Sequence, residues 1–219
     1  MIPAAGEPEA APWSVRPLAD VVADLLARAG RPVGRPAVVA VDGRSAGGKS
    51  TLTGRIADAV PGSVVVHTDD VAWWESFFGW DALLAAGVLE PARAGLPVAF
   101  RPPAWDARGR SGAIEVPVGA SLLLVEGVGA SRRALTPLLD AAVWVQSDAT
   151  RARDRGIARD LAERPDPAEA ARFWDEWESA ESPFLAHERP WERADVVVCG
   201  TPALPHDPLL EVVVGRRLT

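Results

Sequence analysis

The 219-residue chain has one cysteine, one methionine, one lysine and no tyrosine. With Cys199 as its single thiol, an internal disulfide is excluded, and nothing in the cysteine usage points to an oxidising compartment. No apolar run reaches the roughly 18 residues that a membrane-spanning helix needs. Basic side chains number 23 against 30 acidic ones, for a formal charge of −7. That balance argues against a surface built to neutralise a nucleic-acid backbone. The opening residues, MIPAAGEPEAAPW, are acidic and proline-rich and lack the basic and apolar regions of a signal peptide. The expectation is a soluble, cytoplasmic protein with neither a membrane nor a nucleic acid polymer as partner. Nucleotide binding stays open, because a phosphate site needs only local positive potential.

What is present suits a globular fold: 48% of residues are hydrophobic and 24% charged. The length fits a single domain over residues 13–219, preceded by a flexible tail over residues 1–12. Leu18, Val21, Val22, Leu25 and Leu26 recur at helical spacing, with Gly30 as a stop. Five short apolar runs follow, at Ala37–Val41, Val64–His67, Leu122–Val125, Ala142–Val145 and Val196–Val198. They are continuous rather than alternating, as strands buried on both faces of a parallel sheet are. Asp166, Pro167 and Glu169 have the spacing of a helix start with a capping box. Alternating strands and helices predict a three-layer α/β architecture. The last segment, DPLLEVVVGRRLT, reads as either an edge strand or a docking tail.

The one lysine, Lys49, falls in VVAVDGRSAGGKSTL, where Gly43 to Ser50 match G-x-x-x-x-G-K-[ST] between an apolar run and a helical pattern. Gly43, Gly47 and Gly48 permit backbone approaches that a Cβ would block. The amides of Ser45, Ala46, Gly47, Gly48, Lys49, Ser50 and Thr51 can then converge on phosphate oxygens where a helix begins. The Ser50 hydroxyl suits Mg²⁺. In a chain that otherwise uses arginine, a compact ammonium fits beside terminal phosphates where a planar guanidinium fork would not.

Further candidates follow the loop. Asp69 and Asp70 end the second strand, at the sheet edge where ligands bind in open α/β folds. One is expected to accept the proton of an attacking hydroxyl, and the other to hold metal-bound water or cap a helix. Glu126 ends the third strand, where a carboxylate can serve the metal. Arg151, Arg155 and Arg159 share one helical face, with Arg153 off that line. They read either as a lid over transferring phosphate, spanning about residues 148–166, or as surface salt bridges to Asp148, Asp154, Asp160 and Glu163. Trp73, Phe77, Trp80 and Leu84 have core-like spacing, yet Trp73 lies near enough to Asp69 to line an acceptor pocket. Arg101, Trp105, Asp106, Arg108 and Arg110, in FRPPAWDARGR, either read a polar substrate or belong to a surface loop. His67 is read as structural.

With those residues in place, the chain resembles the uridine kinase-like branch of P-loop kinases, which includes phosphoribulokinase and pantothenate kinase. VAVDGRSAGGKSTL is similar to that family's first strand and phosphate loop, HTDD to its catalytic aspartate with Asp69 the better aligned, and LLLVEG to its third-strand Glu-Gly. DATRARDRGIARD resembles its arginine-bearing lid, and ESPFLAHERPWERADVVVCG its closing segment. The resemblance implies a P-loop NTPase fold with a five-stranded parallel sheet in order 2-3-1-4-5, a helical lid, and ATP with Mg²⁺ as phosphate donor. Its implied roles are Lys49 and the loop amides on phosphate, Ser50 and Glu126 on the metal, Asp69 on the acceptor hydroxyl, and Arg155 and Arg159 on the transferred group. The family's Tyr-Asp-Phe acceptor stretch has no counterpart here. The expected activity is phosphorylation of a hydroxyl on a small polar molecule, a nucleoside first. The alternatives are a kinase of a specialised metabolite or antibiotic, an ATP-binding switch, and a structural module.

Overall fold

The computed structural model describes residues 1–161 and 166–218. Its centre is β2 (Ala37–Gly43), buried at every residue and paired in parallel with β6 (Leu122–Glu126) and β7 (Ala141–Gln146). β3 (Ser63–His67) extends the sheet beyond β6, and β8 (Val196–Cys199) extends it beyond β7, both in parallel. The five apolar runs of the sequence are these five strands, within a residue or two at their ends.

The five-stranded sheet is corrected to seven strands. β9 (Glu211–Gly215) lies antiparallel on β8, and β1 (Ser14–Pro17) lies antiparallel on β9, giving the order β1-β9-β8-β7-β2-β6-β3. The final segment is therefore an inner strand, with β1 as the edge. β1 escapes the sequence pattern because it is four residues long, nowhere fully buried, and ends in proline, as edge strands tolerate. A separate antiparallel pair, β4 (Val98–Phe100) and β5 (Ile114–Val116), stands apart from the main sheet.

Side-chain alternation along the strands creates the layers. Val39, Val41, Leu122, Leu124, Val143 and Val145 pack with α1 (Leu18–Ala29) and α2 (Lys49–Ala59) on one face. Val38, Ala40, Leu123 and Val125 face the opposite side. There they meet α3 (Thr68–Ala72), α4 (Asp81–Leu84), a π-turn at Ala85–Leu89 and α5 (Glu90–Arg93). α6 (Pro103–Ala107) joins β4 to β5, with proline where a helix accepts it, at the first turn. α7 (Ala149–Asp160) and α8 (Pro167–Glu188) connect β7 to β8. The expected caps form: Gly30 ends α1 at φ 73°, and the Asp166 side chain accepts from the Ala168 amide at 2.9 Å.

The expected tail is packed against the body. The Glu7 carboxylate accepts from Trp144 Nε1 and Gln146 Nε2, each at 2.7 Å. The Ala10 amide donates to Gln146 Oε1 at 2.9 Å, and Ala10 accepts from the Arg216 amide. No helix among the described residues is long and apolar enough to cross a membrane.

Candidate active site

The glycine-rich loop links β2 to α2 at the carboxyl edge of the parallel strands. Gly48 caps α2 in a left-handed conformation, φ 102°, that a side chain disfavours. Gly43 does not face the cavity. A Cβ on it would stand 2.6 Å from the Val145 carbonyl oxygen, so its hydrogen lets the loop strand pass close to β7. Lys49 is buried, and its Nζ donates to the Arg44 carbonyl at 2.9 Å, which holds the ammonium against the loop it serves. Ser45, Ala46, Gly47, Gly48, Ser50 and Thr51 line, with Lys49, a cavity of about 1440 Å³.

Across that cavity stand the acids: Glu126 ends β6 as expected, whereas β3 stops at His67 and Asp69 and Asp70 lie in the first turn of α3 rather than at the strand's end. Glu126 is buried, and accepts from Ser50 Oγ at 3.3 Å while its second oxygen lies 2.6 Å from His67 Nδ1. Burial acts to raise the Glu126 pKa. The His67 hydrogen bond, the Lys49 charge, the His67 charge and the Ser50 hydroxyl outweigh it and hold the group below its ordinary value. His67 titrates above its ordinary value, chiefly through that same hydrogen bond. Asp69 keeps a window to the cavity but is crowded by its walls. The resulting desolvation raises its pKa, against the pull of Lys49 and with the added push of Glu126. Asp70 is engaged differently: it pairs with Arg110, and its carbonyl accepts from Trp105 Nε1 at 2.9 Å. Both acids border the cavity, but Asp69 feels the Lys49 charge while Asp70 is tied to the 101–112 segment.

Arg155 and Arg159 line the cavity, as the lid reading expects. Arg155 donates to the Gly200 carbonyl at 3.0 Å, and Arg159 pairs with Asp160 at 2.9 Å, so the salt-bridge reading is met at that one pair. Arg153 points the other way and holds α8 through Asp175 and Glu178. Residues 162–165 of the expected lid, Glu163 among them, lie outside the described residues.

The expected polar acceptor residues are not gathered at the cavity. Arg101 bonds Asp106 at 2.7 Å and the carbonyls of Arg110 and Gly112, closing its own loop. Trp105 is buried in the core beneath β4 and β5. Arg108 stacks on Trp74, its guanidinium carbon 3.4 Å from the ring centre. Trp73 does line the cavity, joined by Trp74, Phe77, Trp80, Phe173 and Trp177.

Three residues that sequence reasoning passed over brace the loop. Glu181, buried on α8, accepts from the Ser45 amide at 2.8 Å and from Arg44 at 3.3 Å. Glu7 approaches the other side of the Arg44 guanidinium at 3.6 Å. Asp42, fully buried before Gly43, accepts from the amides of Gly43, Gly129 and Ser131 and from the Ser131 hydroxyl, fixing β2 to the turn after β6. Arg44 occupies a variable position of the loop motif, and its partners lie far off in both directions, Glu181 137 residues later and Glu7 in the N-terminal segment, so no local pattern announces them.

The residues fit a nucleotide with a hard divalent cation. The fit rests on a loop closed by a buried ammonium, glycines whose contacts leave no room for Cβ, and the oxygen donors of Ser50 and Glu126 side by side at the loop. Among the described residues, no cluster of three or more His, Cys, Asp or Glu side chains forms a self-sufficient metal site.

No protein-family model and no curated protein matches the chain. Among solved structures, a proposed fructose transport system kinase from Silicibacter sp. TM1040 superposes with a TM-score of 0.56 at 21% identity, covering 70% of this chain and 85% of that one. A possible uridine kinase from Bacillus stearothermophilus gives 0.49 at 22% identity, with 82% and 96% covered. The first likeness establishes a shared fold.

Proposed function

We propose that the chain is a P-loop phosphotransferase that uses ATP with Mg²⁺ to phosphorylate a hydroxyl of a small molecule. The observation that carries this reading is the placement of Asp69 across one cavity from Lys49. With Glu126 beside Ser50 available for the cation, Asp69 is a second carboxylate at the phosphate loop, free to face an acceptor hydroxyl. The fold shared with a structure named as a kinase is in keeping with it.

In this reading Lys49 and the loop amides hold the β- and γ-phosphates, and Ser50 and Glu126 stand where the cation is held. When bound, the cation neutralises phosphate charge. Asp69 orients the acceptor hydroxyl and takes up its proton, and the desolvation that raises its pKa makes it a better base than an ordinary aspartate. Arg155 and Arg159 offset charge on the transferred group as water is excluded. Asp70 acts at one remove, through its pair with Arg110. A specialised metabolite or antibiotic is as compatible with this machinery as a nucleoside.

The test is ADP release measured against a panel of alcohols, followed by Asp69→Asn with the best acceptor. The expected result is a fall in kcat of roughly 10²–10⁴-fold with Mg-ATP affinity within a few-fold of wild type. Unchanged turnover in that variant would sink the proposal. Acceptor-independent hydrolysis coupled to capture of another protein would favour a nucleotide switch.

A further inference from the structure

Beyond the donor loop, the cavity changes character. Its far wall is Trp73, Trp74, Phe77, Trp80 and Trp177, with Phe173 beside them. Phe77 and Trp177 meet edge to face at 5.1 Å, and Trp73 and Trp74 do so at 6.1 Å. Part of this surface is open, since Trp74 is 62% exposed and Phe77 36%. Trp74 also sits at φ 66°, a conformation costly for a bulky side chain, at the cavity wall.

The charges on this side are informative by sign. The guanidiniums of the 101–110 segment are engaged within the protein: Arg101 with Asp106, Arg108 on the Trp74 face, Arg110 with Asp70 and over Trp105 at 3.8 Å. The acids around the wall are Asp69, Asp70 and Glu75. An anionic acceptor would meet these carboxylates and, among the described residues, no guanidinium of the 101–110 segment left to receive it; Arg159, whose charge reaches Asp69, is engaged by the transferred phosphate in the kinase reading. A nucleoside or sugar would bring several polar edges against indole and phenyl surface, and each unpaired polar edge costs binding.

Resting on the kinase reading of the same site, we propose that the acceptor is an uncharged alcohol with a flat, predominantly apolar body, held between the Phe77–Trp177 and Trp73–Trp74 pairs with its hydroxyl at Asp69. The aromatic wall supplies affinity through apolar contact and ring stacking. Asp69 supplies orientation. In the transfer step the acceptor oxygen forms a bond to the γ-phosphorus as the bond to the β-bridging oxygen breaks, and the hydroxyl proton passes to Asp69.

The test combines turnover with direct binding. ADP release is measured with uncharged aryl alcohols, nucleosides, sugars, sugar phosphates and hydroxy acids. In parallel, 2-naphthylmethanol is titrated calorimetrically into the full chain, alone and with a non-hydrolysable Mg-ATP analogue. The expected result is a kcat/KM for an aryl alcohol at least ten-fold above every polar class, together with saturable binding of the probe and a negative heat-capacity change. Phe77→Ala and Trp177→Ala should each weaken probe binding at least five-fold while leaving affinity for the Mg-ATP analogue within two-fold. Should Trp177→Ala fail to fold, the more exposed Phe77 decides. Preference for a nucleoside, sugar or anionic acceptor overturns this inference and leaves the kinase reading standing, as does absence of probe binding at millimolar concentration. Absence of Mg-ATP binding overturns the kinase reading itself.

Discussion

His67 Nδ1 lies 2.6 Å from Glu126 Oε2, while the other oxygen of the same carboxylate receives the Ser50 hydroxyl. A residue that reads as an ordinary strand imidazole thus holds a buried acid at the mouth of the phosphate loop.

This pair gives stability a defined pH dependence. The His67 pKa is raised, first by the hydrogen bond to Glu126 and despite burial. Its contribution is therefore complete below the unfolded value of about 6.5 and is lost as pH rises through the higher folded value. Glu126, held below its ordinary value, stays ionised throughout that window. Thermal unfolding of wild type and His67→Gln should show wild type losing its advantage on the alkaline side, the two Tm curves converging there. Parallel curves would mean that the proton on His67 contributes nothing.

Lys49→Met should separate binding from folding. The ammonium contacts the Arg44 carbonyl, and that oxygen also accepts from the Gly47 amide, so the loop keeps one of its closures. Mg-ATP affinity should fall by ten-fold or more and turnover by about 10²-fold or more, with Tm within a few degrees of wild type. Calorimetric titration and an ADP-release assay check both halves.

Gly200 lies outside the loop motif, yet it governs the loop. A Cβ there would overlap the Gly47 carbonyl oxygen, a backbone atom that cannot swing aside. Gly200→Ala should weaken Mg-ATP binding at least ten-fold. Gly54→Ala is the control: it sits within α2 with nothing in the way of a Cβ and should stabilise the protein by up to about 1 kcal/mol. Urea unfolding and nucleotide titration of both variants test the contrast.

Removing Glu181 should cost far more than a helix-surface glutamate does. Glu181→Ala leaves the buried Arg44 with Glu7 alone and the Ser45 amide without its acceptor. Loss of one partner from a buried pair costs on the order of 3 kcal/mol, read as a lower urea midpoint at unchanged slope. Glu176→Ala, on the exposed side of the same helix, should change stability by less than about 0.5 kcal/mol.

What the sequence made legible is what local pattern encodes. The five parallel strands announce themselves as apolar runs, the loop as a spacing of glycines around Lys49, and the start of α8 as Asp166 before Pro167. What it hid depends on distant pairings. Glu7 sits in a proline- and alanine-rich stretch that looks like a tail, and only the fold brings Trp144 and Gln146 to it. On α8 the buried stripe includes Glu181 and Glu188, so two glutamates masquerade as a solvent face. The Arg101–Asp106 bond likewise turns an apparent substrate-reading segment in on itself.

α8 carries three duties along one stripe. Trp174 packs where Gly156 of α7 has no side chain, Trp177 leans on Phe77, and Glu181 grips the phosphate loop. Anyone wishing to retarget this protein to a different alcohol therefore has unequal freedom on the two sides of the cleft. Changes at Trp73, Trp74 and Phe77 can reshape the pocket without disturbing the donor end. Changes along α8 carry different risks from one turn to the next: Trp177 touches the pocket alone, whereas Trp174 seats the lid and Glu181 grips the phosphate loop, which makes that helix the poorest place to begin a directed-evolution library.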